Sequence, residues 1–194
     1  MDESSMRRRQ EEGDHDGALT LSLRAYGPEV MGLLVAIHGD ETSASDAFAL
    51  FCERLWTSMP SFRWECSMRT WAYRIGRAAS ADVRRAQGRR GARHVPLSPS
   101  AADVADRIRT ETLTFLRTES KTALQRLREE LPADDRTLLV LRLDRQLSWR
   151  ELATVFVDGT DHDVDREAAR LRKRFQLVKD RLVKTAKARG IVKD

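Results

Sequence analysis

From Leu19 onward the apolar residues of this 194-residue chain recur at helical spacing and nowhere alternate over the length of a strand. The clearest run comes last: Leu171, Phe175, Val178 and Leu182 fall at i, i+4, i+7 and i+11, one stripe of an amphipathic helix. An earlier run puts Met68, Trp71, Ala72, Ile75, Ala79 and Val83 on one stripe and Arg69, Tyr73, Arg77, Ser80 and Arg84 opposite it, over 67–86. A helix is predicted through Val30, Leu33, Leu34 and Ile37 to a stop at Gly39, and another over 44–57, which Pro60 prevents from continuing. Further on, Leu138, Leu139, Leu141 and Leu143 supply the apolar side of a helix that follows Pro132. Ser148, with Glu151 three residues later, forms a capping box that starts a short helix through Leu152, Val155 and Phe156. The expected fold class is all-α.

Punctuation divides the chain into two small helical domains. Residues 1–17 are almost all charged or small and read as a flexible leader. The first domain is placed at 18–87. The stretch from Gln87 to Ala101, rich in glycine, proline, serine and arginine and without a period, opens a flexible linker assigned to 88–119. The second domain, 120–194, carries a helix-turn-helix whose polar, acidic connection around 157–165 is unusually long.

Several chemistries have no residues to support them. No window is apolar enough to span a membrane and the N-terminus lacks a signal-peptide core, so a cytoplasmic protein without membrane insertion is expected. Cys52 and Cys66 form no CxxC pair. His15, His38, His94 and His162 are scattered without partners. No phosphate loop or nucleophile motif occurs. No enzyme activity, metal or cofactor is expected.

Charge is what distinguishes the chain. Its net +5 divides into −6 over residues 1–62, +7 over 63–94, −4 over 95–165 and +8 over 166–189. Two cationic blocks separated by an acidic stretch make two contacts for a polyanion. In the second block Arg170, Arg172, Lys173, Arg174 and Gln176 lie on a helix that follows a support helix, where long donors can reach base edges in a major groove. In the first block aromatics lie among arginines: Phe62, Arg63 and Trp64 in a loop, then Trp71, Tyr73, Arg74 and Arg77 on a helix. That combination suits unstacked single-stranded bases. Helical phase puts Trp71 at the edge of the apolar stripe, which makes Trp64 and Tyr73 the better candidates for base contact.

The stretch FRWECSMRTWAYRIGR, Phe62 to Arg77, resembles F-R-x-E-S-S-F-R-T-W-L-Y-R-I-A-R of the extracytoplasmic-function sigma factors of the sigma-70 family. SASDAFALFCERLW is similar to the family's D-A-E-D-L-V-Q-E-T-F-L-R-L-W helix, with Ala49 and Leu50 replacing its Gln-Glu pair. LPADDRTLLVLRLDRQLSWRELATVF and LRKRFQLVKDRL resemble the family's C-terminal helices. The resemblance implies a region 2 domain that binds the minus-ten element through Phe62, Arg63, Trp64, Trp71, Tyr73, Arg74 and Arg77, the 58–66 loop capturing an extruded base. It implies a region 4 domain that reads the minus-thirty-five element through Ser148, Arg150, Arg170, Arg172, Lys173, Arg174 and Gln176. It further implies docking on core RNA polymerase through Asp46, Ala49, Leu50, Glu53 and Arg54. The partners would be promoter DNA, the clamp coiled coil of the largest polymerase subunit, the flap of the second-largest and, as in many relatives, an anti-sigma factor. Two alternatives stay open: a helix-turn-helix regulator that never touches polymerase, and a helical module that binds an acidic protein.

Overall fold

A computed structural model describes residues 3–86, 96–118, 122–157 and 164–192; the chain is all α, with no strand among them. It divides into two units, 1–117 and 118–194.

In the first unit, local capping chemistry sets the helix ends. Asp14 accepts from the Gly17 N–H to begin α2 (His15–His38), which stops where Gly39 takes φ +76° and donates to the Val35 carbonyl. Only glycine adopts that left-handed turn without strain. Asp40 then accepts from the Ser43 N–H at 2.7 Å and starts α3 (Glu41–Ser58). A 3₁₀ turn at Met59–Ser61 carries the chain past Pro60 into a loop, and α4 (Met68–Ala86) follows. Leu19, Leu23, Val30, Leu34 and Ile37 of α2 meet Phe48, Phe51 and Leu55 of α3 in a dry core.

Helix α4 packs against both α2 and α3. Its buried face is therefore wider than one apolar stripe, and it is rotated from the one the apolar pattern gives. Met68, Thr70, Ala72, Tyr73, Gly76, Ala79 and Ser80 are buried, whereas Trp71, Ile75 and Val83 are only half-buried. The closest approach is at Gly76, where a methyl group would meet Val30 Cγ1 at 2.8 Å and Phe51 Cδ2 at 3.9 Å.

Two segments differ from expectation. Residues 4–11, read as part of a flexible leader, form a helix, α1 (Ser4–Glu11), with Met6 buried beneath α2 and in contact with Ser22 Oγ. An apolar count misses it because hydrogen bonds from Glu3 and Gln10 to distant backbone, more than buried area, tie it down. Part of the expected linker is likewise folded. Helix α5 (Pro99–Thr118) buries Ala101 and Ile108 in the first unit, with Ile108 against Gly27 and Ser98 hydrogen-bonded to Asp16. Residues 87–95 of that stretch lie outside the described residues.

The second unit contains α6 (Ala123–Glu129), α7 (Ala133–Leu139), α8 (Trp149–Phe156) and α9 (Val164–Ala188). Helix α7 runs on into a π-helical turn, Val140–Asp144, closed by the Arg145 N–H on the Val140 carbonyl at 3.0 Å. The wide turn buries Leu141 but turns Leu143 out to 46 % exposure, so Leu143 is not the core residue its spacing suggests. The Ser148 capping box forms as expected: Glu151 N–H donates to Ser148 Oγ at 3.3 Å and Ser148 N–H to Glu151 Oε2 at 2.7 Å. Leu171, Phe175, Val178 and Leu182 are all buried along α9, and Phe175 meets the Trp149 ring edge-on at 5.6 Å. Of the long connection, residues 158–163 lie outside the described residues.

Gly76→Ala should gain about 1 kcal/mol of helix propensity but lose about 1–3 kcal/mol to overpacking against the stiff Val30 side chain. In urea denaturation the change is expected to destabilise the natural chain and to stabilise the Val30→Ala background, a reversal of sign that only this contact produces.

Candidate nucleic-acid interface

The aromatics of the first unit assemble where the 58–66 loop meets the start of α4. The Phe62 ring stacks on Trp71 at 4.1 Å with 13° between planes, and Trp64 closes on Phe62 at 4.8 Å. All three are half-buried. Trp64 takes φ +59°, a left-handed backbone rare for a bulky residue. Beside Trp71 a recess of about 340 Å³ opens between α3 and α4, lined by Arg54, Thr57, Ser58, Trp71, Arg74, Ile75 and Ala78. An indole wall with guanidinium groups at the rim suits a planar base attached to a phosphate. Arg63 is exposed on the loop, and Arg77 is half-buried on α4.

Tyr73 does not join them. It is 1 % exposed, and its hydroxyl donates to Glu29 Oε2 at 2.5 Å, across α2. The same carboxylate oxygen takes Arg69 Nε at 2.8 Å, and the Arg69 guanidinium lies 5.6 Å from the Tyr73 ring centre. Helical phase placed Tyr73 among the arginines, but a carboxylate on a neighbouring helix gives its hydroxyl a buried partner. Trp71, the residue with the better reason to be core, stays at the surface instead.

On α3, Asp46 and Ala49 are exposed, and Leu50 and Glu53 are half-buried. Arg54 forms an ion pair with Asp82 of α4, which also binds Arg85. Burial works to raise the Asp82 carboxyl, but its bonds to Arg54 and Arg85 outweigh it and hold the group below the usual carboxylate range. A second recess, about 270 Å³, separates α3 from α5 and is bordered by Ala49, Cys52, Glu53, Ala105 and Arg109. Burial pushes the Cys52 thiol up to about 12 and raises that of Cys66. No group of residues with metal-binding geometry occurs among the described residues.

In the second unit Arg172, Lys173 and Gln176 are exposed on α9. Arg174 is not: its Nε donates to Asp135 Oδ1 of α7 at 2.7 Å, and the Asp135 side chain is only 9 % exposed. Arg170 clasps Glu167 through two bonds of 2.8 and 2.7 Å, and Arg150 faces Asp165 at 3.8 Å in full solvent. Ser148 is engaged in its capping box. Sequence reasoning passed over Trp149, whose ring lies 4.7 Å from the Arg142 guanidinium and 5.8 Å from that of Arg172. It also passed over Asp135, which decides what Arg174 does. A tryptophan at the first position of a capped helix beside two arginines was the available signal.

The description "Sigma-70 region 2" matches residues 23–90, a span that contains the loop, α3 and all of α4. The RNA polymerase sigma-H factor of Pseudomonas aeruginosa is 28 % identical over 147 residues, covering 71 % of this chain and 74 % of that protein. The chain belongs to the sigma-70 family. Within this sigma-70 chain the matched region takes in the aromatic cluster, the recess and the α3 face, while α1 and α5 lie outside it.

Arg174→Ala leaves the Asp135 carboxylate without its guanidinium, and a loss of about 1–3 kcal/mol is expected. Lys173→Ala one residue away should stay within about 0.5 kcal/mol; parallel urea titrations compare the two.

Proposed function

We propose that this chain is an extracytoplasmic-function sigma factor that binds core RNA polymerase and directs promoter recognition, minus-ten opening and the start of transcription. The observation that carries this reading is the aromatic and arginine cluster at the junction of loop and α4, inside the stretch that matches region 2.

An extruded base costs a few kcal/mol to unstack. The Phe62, Trp64 and Trp71 rings can offset this by stacking, while Arg63, Arg74 and Arg77 neutralise the non-template strand. Tyr73 acts from behind, holding α4 through Glu29. In the second unit α8 and α9 serve as support and recognition helices. Arg172, Lys173 and Gln176 are nearest the minus-thirty-five bases, and Ser148, Arg150 and Arg170 stand towards the backbone. Arg174 is an internal brace rather than a reader. Asp46, Ala49, Leu50 and Glu53 form the docking face for the clamp coiled coil, supported by Arg54 through its bond to α4. The flap of the second-largest subunit would take the second unit, and an anti-sigma factor would compete for these surfaces.

The test is transcription by bacterial core RNA polymerase on genomic fragments of the source organism, with new RNA 5′ ends mapped with and without the protein. New starts that share two upstream sequence blocks are expected. A protein that binds duplex yet neither joins core nor supports any start would instead be a helix-turn-helix regulator. At a start so found, Trp64→Ala should weaken binding of the opened strand by about 1–3 kcal/mol, with duplex affinity unchanged. Lys173→Ala should lower duplex affinity and reduce its dependence on salt by about one counterion.

A further inference from the structure

The loop that carries Phe62 and Trp64 is held from outside the matched region. Gln10, in the last turn of α1, sends its side-chain amide across to it. Nε2 donates to the Met59 carbonyl and to the Phe62 carbonyl, each at 2.8 Å, and Oε1 accepts from Trp64 Nε1 at 2.6 Å. One half-buried amide thus uses both donors and its acceptor on three residues of one loop. Glu3, before the other end of α1, accepts from the Met68 N–H at 3.0 Å, the Arg69 N–H at 3.2 Å and the Tyr26 hydroxyl at 2.8 Å. Helix α1 therefore grips the segment at both ends, just after α3 and at the start of α4.

That grip answers a physical need. Trp64 holds a left-handed backbone that its side chain disfavours, and such a conformation persists only where its surroundings over-determine it. The Gln10 carbonyl fixes the indole ring while the Gln10 amide fixes the backbone on the N-terminal side, so the strained residue has one arrangement rather than several. The same bonds set the angle at which Trp64 meets Phe62.

We propose that Gln10 is a positioning residue for strand capture: it touches no DNA, and it presets the 58–66 loop so that Phe62, Trp64 and Trp71 stand ready for an unstacked base. The proposal rests on the sigma-factor reading given above, and its test separates the two. Gln10→Ala, Gln10→Met and Arg7→Ala are made in the full chain. Arg7 lies on α1 and pairs only with exposed Glu11, so it controls for general damage to the helix. Hydrogen exchange over residues 59–66 needs neither polymerase nor promoter. It should speed up about tenfold or more in both Gln10 variants and be unchanged in Arg7→Ala, with α2 and α3 keeping their protection. On a promoter fragment recovered by the transcription assay, permanganate footprinting of unpaired thymines should then show opening slowed about tenfold in both Gln10 variants, while occupancy of the closed duplex is unaltered. Natural exchange rates in Gln10→Ala would overturn the proposal, as would natural opening by Gln10→Met, which keeps the bulk and loses all three bonds. If the natural chain opens no promoter, the sigma-factor reading fails, and the exchange rates alone decide whether Gln10 orders the loop.

Discussion

At Gly76 the backbone of α4 approaches α2 and α3 so closely that no side chain fits between them, and Glu29 then fixes how α4 is rotated. Its carboxylate takes the Tyr73 hydroxyl and the Arg69 guanidinium from successive turns of α4. With those two contacts made, Tyr73 is buried, Trp71 is left at the surface over the 340 Å³ recess, and Arg74 and Arg77 fall on the same side. The nucleic-acid face of the first unit is thus a by-product of packing on the opposite side of the helix.

Arginine is spent in two ways in this chain, and composition does not distinguish them. Arg54, Arg69 and Arg174 each bind a carboxylate on another helix and act as cross-braces. Arg170 is turned back along its own helix by Glu167. Arg63, Arg172 and Lys173 project into solvent. The two cationic blocks are real, but the charge they present to a polyanion is smaller than their sums, because internal carboxylates draw on the same residues.

The helices were legible from local signals: the Gly39 stop, the Ser148 capping box and the leucine spacing of α9 all stand in the structure where the sequence places them. Membership of the sigma-70 family was legible too, from the Phe62 to Arg77 stretch. What local patterns could not convey was partnership at a distance. The fate of Tyr73 depends on Glu29, that of Arg174 on Asp135, and the order of residues 4–11 on bonds from Glu3 and Gln10 to atoms some fifty to sixty-six residues away. Each is one hydrogen-bonded contact between polar residues, which leaves no periodic trace in a sequence.

The wide turn at Val140–Asp144 matters for how this chain tolerates insertions and deletions. A π-helical turn holds one residue more than an α-helical one, so losing a single residue there would leave an unbroken α-helix. Everything after it would be rotated by about 100° relative to Leu138 and Leu139. Arg142, which now lies over Trp149 and donates to the Leu147 carbonyl at 2.6 Å, would point elsewhere, and the start of α8 would lose its anchor. A one-residue gap at this place therefore changes the aim of the whole α8 segment, whereas the same gap in an exposed loop changes little.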